Sequence, residues 1–150
     1  MSELQDLYQQ VILDHNRKPR NFRKLDHATQ HAEGVNPLCG DAIRVELRVE
    51  DGVIRDIGFQ GSGCAISRAS ASMMTGQLQG KPVAEAQDMF GRFHAMVTGA
   101  SGLAEPAGAL GKLAVFAGVR EFPSRVKCAT LPWHTVRAAL AGQAEPVTTE

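Results

Sequence analysis

The chain opens on helical spacing and then switches to strict alternation. Leu4, Leu7, Tyr8, Val11 and Ile12 recur at three- and four-residue intervals and predict a helix over Ser2 to Asn16. Ser2 is suited to cap it, and Glu3 and Asp6 suit its positive end. The stretch RKPRNFRK, Arg17 to Lys24, breaks the period at Pro19 and Asn21. It reads as a loop or extended arm, basic at five of its eight positions. Asp26 to Pro37 has only weak periodicity and leaves room for a short first strand. Over Ala42 to Glu50, Ile43, Val45, Leu47 and Val49 share one face, while Arg44, Glu46, Arg48 and Glu50 share the other. That is the pattern of a half-buried strand. Asp51-Gly52 is a two-residue hairpin signal, so Val53 to Gln60 should return antiparallel.

Helical spacing resumes after Gly61-Ser62-Gly63. Ile66, Ala69, Met73 and Leu78 predict a helix over Cys64 to Leu78 that stops near Gly80. Ala86, Met89, Phe90 and Phe93 predict another over Val83 to Val97. Thr98 to Gly111 is rich in Gly, Ala and Pro and reads as a connection, its glycines matching no phosphate-binding pattern. A short helix is expected over Leu113 to Phe122. The last is expected over Pro132 to Leu140, with Pro132 in its first turn and Gly142 at its stop. The tail from 143 to 150 should fray. The expected architecture is α+β: one domain over residues 1–150, with a small antiparallel sheet of about three strands covered by helices.

Composition narrows the function. Sixteen basic residues balance sixteen acidic ones among 150, so the net charge is zero. A general nucleic-acid binder draws its affinity from excess positive charge, which disfavours that class. With only six Phe, one Tyr and one Trp, a base-stacking surface is disfavoured too. No run reaches the roughly 18 apolar residues of a transmembrane helix, and the opening residues lack the pattern of a secretory signal. The protein reads as cytoplasmic, with no membrane partner. Cys39, Cys64 and Cys128 are an odd number of thiols, which in a reducing compartment argues against a disulfide framework.

The placement of those cysteines is more informative than their number. Cys39 lies in N-P-L-C-G-D before the alternating strand. Cys64 follows a glycine-rich turn at the mouth of a helix, and Cys128 lies in R-V-K-C-A-T-L-P before the last predicted helix. Each is expected at an element boundary, where side chains from distant segments can converge. Asp41 is two residues from Cys39, so in extended backbone the two point the same way. Three thiolates and a carboxylate suit tetrahedral zinc, and soft thiolates favour zinc or an iron–sulfur cluster over magnesium or calcium. The first turn of a helix, with its free N–H groups and partial positive charge, favours a thiolate at Cys64. Gly61 and Gly63 would let the backbone approach closely. There is no C-x-x-C pair, and the gaps of 25 and 64 positions match no zinc-finger template. Spacing alone leaves two readings, a metal or thiol site and three unrelated buried thiols.

A resemblance separates them. N-P-L-C-G-D, G-S-G-C-A-I-S and R-V-K-C-A-T-L-P-W, in that order, resemble the three signature segments of the SufU and IscU (NifU-like) family, and L-Y-Q-Q-V-I-L-D-H-N-R-K-P-R-N-F resembles its opening helix and basic loop. The likeness runs from about Leu4 to Leu140. Lys127 stands where IscU-type scaffolds carry a His before the third cysteine. The long stretch between Cys64 and Cys128 resembles the SufU insertion, here roughly Gly80 to Gly111. The resemblance implies zinc held by Cys39, Asp41, Cys64 and Cys128. It implies sulfur accepted from a SufS-type pyridoxal-phosphate cysteine desulfurase for iron–sulfur cluster assembly, and passed to downstream assembly proteins. A histidine of that partner would free Cys39, the implied sulfur acceptor, and Arg125 would give electrostatic support. The chain would thus act as a zinc-dependent sulfurtransferase. Two alternatives stand beside this: a scaffold whose cysteines ligate an iron–sulfur cluster, and a non-catalytic zinc-stabilised adaptor. His134 is a conceivable extra ligand but is expected at the surface, as is His94. His15 and the arm from Arg17 to Lys24 suit either an acidic patch on a partner or plain solvation.

Overall fold

The structure, a computed structural model, describes residues 3–37, 40–98, 113, 116, 119, 122–142 and 146–148, the first six of them by backbone alone. Among these, α1 spans Glu3–Arg17, β1 Gln30–Asn36, β2 Asp41–Glu50, β3 Val53–Ser62, α2 Ala65–Leu78, α3 Val83–Thr98, α4 Pro123–Ala141 and β4 Val147–Thr148. The strand order is β3-β2-β1-β4, antiparallel except where β4 runs parallel to β1.

The alternating pattern of β2 is what faces the sheet inward. Ile43, Val45 and Leu47 are buried against the helices, each burial contributing about 1.5–3 kcal/mol. Asp51 and Gly52 both adopt positive φ, 54° and 74°, the turn geometry that matches the twist of the two strands. α4 packs across β1 and β2, α2 against β3 and α4, α1 on α2, and α3 on α4. Phe93 of α3 stacks on Trp133 of α4 with ring centroids 4.6 Å apart, sealing that layer. Among the described residues no helix is long and apolar enough to cross a membrane.

The structure corrects four expectations. The last helix begins at Pro123, not Pro132. Pro123 fills the first-turn role, and Pro132 sits inside the helix, buried. Pro132 has no N–H to give the Cys128 carbonyl; in the same turn Ser70 of α2 donates to the Ala129 carbonyl at 2.6 Å, so packing on α2 supplies hydrogen bonding to the interrupted turn. Cys128 consequently lies within a helix, not ahead of one. The sheet gains a fourth, parallel strand. Val147 and Thr148, expected in a frayed tail, pair with Gly34 and Val35. Finally, the polar face of β2 is not all solvated. The chain just past the basic arm covers part of it: Leu25 is buried and gives its N–H to buried Glu46 at 3.2 Å. The expected helix over Leu113 to Phe122 falls mostly outside the described residues, although Leu113, Phe116 and Val119 are buried.

Candidate metal centre

Three of the four predicted ligands come together. One ligand atom from each of Asp41, Cys64 and Cys128 lies within 4.8 Å of the other two. They arrive from the first residue of β2, the residue before α2 and the interior of α4. Cys39 lies outside the described residues.

Each side chain is positioned by its local structure. Cys64 is the N-cap of α2, extended at φ −69° and ψ 167°, and its sulfur accepts the Ser67 N–H at 3.4 Å. The sulfur thus occupies the place a capping serine oxygen usually takes. Asp41 is 2% exposed, and its Oδ1 accepts the Cys64 N–H at 2.7 Å. The second carboxylate oxygen lies 3.8 Å from the Cys64 sulfur. Gly63 makes this contact possible, because a Cβ there would stand 2.6 Å from Asp41 Oδ1. At Gly61 a Cβ would meet the Ala42 carbonyl at 2.1 Å. The close approach expected of these two glycines is therefore present, but toward β2 and its carboxylate.

Sequence reasoning missed Asn36. It ends β1 directly opposite Asp41 in the antiparallel register, is fully buried, and donates from Nδ2 to the Cys128 sulfur at 3.7 Å. The one available signal was an amide side chain closing a strand just ahead of Cys39-Gly40-Asp41. N–H groups thus converge on both described sulfurs, an arrangement that suits electron-rich, metal-bound thiolates. Two sulfurs and a buried carboxylate oxygen at this separation can hold a metal ion, and this donor chemistry fits zinc and leaves one place in a tetrahedron.

Other candidates fall elsewhere. Arg125 lies exposed in the first turn of α4, its guanidinium carbon 4.5 Å from the centre of the Phe122 ring. It is one helical turn from Cys128. His134 does not join the metal group. It is half-buried against Phe90 and His94, and His94 is half-buried too, so neither is the surface residue expected. Burial first, then the charges of His94 and Arg137, hold the His134 pKa below the ordinary 6.5. His15 packs inward, its Nδ1 2.6 Å from Ser72 Oγ.

Comparison with known proteins agrees with this geometry. The model of the NifU-like N terminal domain matches residues 7–129, which includes Cys39, Asp41, Cys64 and Cys128. The chain belongs to the NifU-like family. A Streptococcus pyogenes relative, the iron–sulfur cluster assembly scaffold protein IscU, is 39% identical over 93% of this chain and 86% of its own length. The zinc-dependent sulfurtransferase SufU of Bacillus subtilis is likewise 39% identical, over 93% of each chain. A crystal structure described as a candidate SUF-system cluster assembly scaffold from Fervidobacterium islandicum superposes with a TM-score of 0.82 at 34% identity, over 90% of this chain and 97% of that one. This NifU-like chain therefore has relatives named for sulfur transfer and for scaffolding at equal identity.

Proposed function

We propose that this chain is a zinc-dependent sulfur acceptor of iron–sulfur cluster assembly, acting in the cytoplasm on sulfur delivered by a SufS-type pyridoxal-phosphate cysteine desulfurase. The observation that carries the reading is the convergence of Asp41, Cys64 and Cys128 within 4.8 Å. Cys39 completes the donor set and is the acceptor. Covalent reach supports this: two trans peptide units span at most about 7.6 Å between the α-carbons of residues 39 and 41. Asn36 and Asp41, which bracket residues 37–40, both stand at the centre. Lys127 before Cys128, where scaffold types carry a histidine, favours sulfur transfer over cluster scaffolding.

Zinc, when bound, keeps the thiols deprotonated and protected at rest. The residues of the chain do the remainder. The Cys39 thiolate attacks the outer sulfur of the persulfide on the desulfurase cysteine. A sulfur–sulfur bond forms on Cys39 as the donor's breaks, and the donor cysteine leaves as a thiolate, so no outside oxidant or reductant is consumed. Arg125 offers positive charge near the incoming anion. The Cys64 N–H holds Asp41 in place during the exchange. A downstream assembly protein then takes the persulfide sulfur.

The test is Cys39→Ser with metal analysis on anaerobically purified protein. We expect the variant to fold but not to stimulate a SufS-type desulfurase, and the wild type to carry one zinc and no iron. Unchanged stimulation by the variant would favour the non-catalytic adaptor. A brown wild-type protein that passes iron to apo-targets would favour the scaffold, the role in the name of the streptococcal relative.

A further inference from the structure

Arg68 lies one turn beyond Cys64 in α2. Its N–H donates to the Cys64 carbonyl at 3.1 Å, which places it about 6 Å along the helix axis from that ligand. Its guanidinium carbon lies 5.3 Å from the centre of the Phe22 ring. Phe22, from the basic arm, is 42% exposed, yet it is held in place. Its ring meets buried Phe59 edge-on at 5.2 Å, and both neighbouring residues hydrogen-bond the Phe59 backbone. The arm's own Arg20 and Arg23 are engaged by Asp14 and Asp56. Arg68, by contrast, pairs with no carboxylate among the described residues, and its enclosed Nε finds no acceptor among them. The other ligand-bearing helix repeats the device: exposed Phe122 lies beneath Arg125, one turn before Cys128.

An arginine held over an aromatic ring can still offer its outer N–H groups and loses little freedom when it meets a carboxylate. Arginine and exposed aromatics are also the side chains that dominate protein interfaces. Arg68 and Arg125 each lie one helical turn from a candidate ligand, Cys64 and Cys128, so a protein that reaches those ligands passes close to these arginines. We propose that Phe22 and Arg68 form a docking platform for a surface carboxylate of the sulfur-donating desulfurase. This rests on the sulfur-acceptor reading and adds the face that receives the donor. The charge match supplies encounter rate and orientation, while the exchange itself stays with Cys39.

The test measures alanine production by the cognate desulfurase against the concentration of this chain, at several salt concentrations. Arg68→Met should raise the half-saturating concentration about tenfold at low salt, leave the maximal rate within twofold, flatten the salt dependence and leave zinc content unchanged. Phe22→Leu, which keeps the apolar contact with Phe59 but removes the ring face, should shift the same parameter in the same direction and serves if Arg68→Met does not fold. Half-saturation and salt dependence equal to wild type in the folded variants overturn the docking site alone. So does a lost maximal rate at unchanged half-saturation, which would put Arg68 in the chemistry. A wild-type chain that gives no stimulation overturns both this site and the sulfur-acceptor reading.

Discussion

Substituting a single methyl group at Gly63 probes how the metal centre is held. The added Cβ of Gly63→Ala would stand 2.6 Å from Asp41 Oδ1, so the carboxylate must retreat by about 0.8 Å to reach an ordinary contact of 3.4 Å. A retreat of that size stretches the 2.7 Å bond from the Cys64 N–H beyond useful length. Losing a hydrogen bond to a charged group costs about 1.5–3 kcal/mol, and forcing an atom into a packed site costs about 1–3 kcal/mol. Part of that loss falls on the fold and part on ligand orientation. Displaced groups that orient a metal ligand typically lower affinity about 10–100-fold. Competition for zinc with a chromogenic chelator should therefore show Gly63→Ala binding at least about tenfold more weakly than wild type. Gly76→Ala is the matched control, since a Cβ there meets nothing within 4 Å in the same helix that Cys64 caps. It should leave zinc affinity alone and add about 1 kcal/mol, raising the melting temperature by roughly 2–4 °C. Wild-type zinc affinity in Gly63→Ala would refute the claim that this glycine sets the carboxylate's position.

Asp41→Ala should release zinc to a chelator much faster than wild type; equal retention removes Asp41 from the ligand set. Asn36→Ala deletes a fully buried amide that donates to the Cys128 sulfur. It should lower stability by about 1–3 kcal/mol in denaturant titration and weaken zinc binding, and an unchanged midpoint would show the contact to be idle. His134 has a folded pKa below its unfolded value of 6.5, so the unfolded chain binds its proton first as pH falls. The stability tied to neutral His134 is complete above about pH 7 and is lost as pH drops through 6.5 toward the folded pKa. The stability difference between His134→Gln and wild type should accordingly change over that window and level off on either side, and a difference that stays constant with pH would rule the mechanism out.

Much of this protein was written locally. The alternation of Ile43, Val45 and Leu47, the Asp51-Gly52 turn and the helical spacing after Cys64 all rely on neighbours two to four residues apart, and all appear in the structure where expected. The sequence contexts of the cysteines pointed to the family that comparison supports. The tertiary structure alone decided where α4 begins. A local rule for proline favours Pro132 as a helix start, but the helix, packed on α2 and the sheet, continues through it, and Pro123 opens it instead. Packing likewise decided that Glu46 is covered by Leu25, that Val147 and Thr148 extend the sheet, and that Asn36 reaches Cys128. Cys64 and Cys128 are 64 positions apart, and no periodicity of strand or helix links them; they meet because α2 and α4 lie side by side on one face of the same sheet.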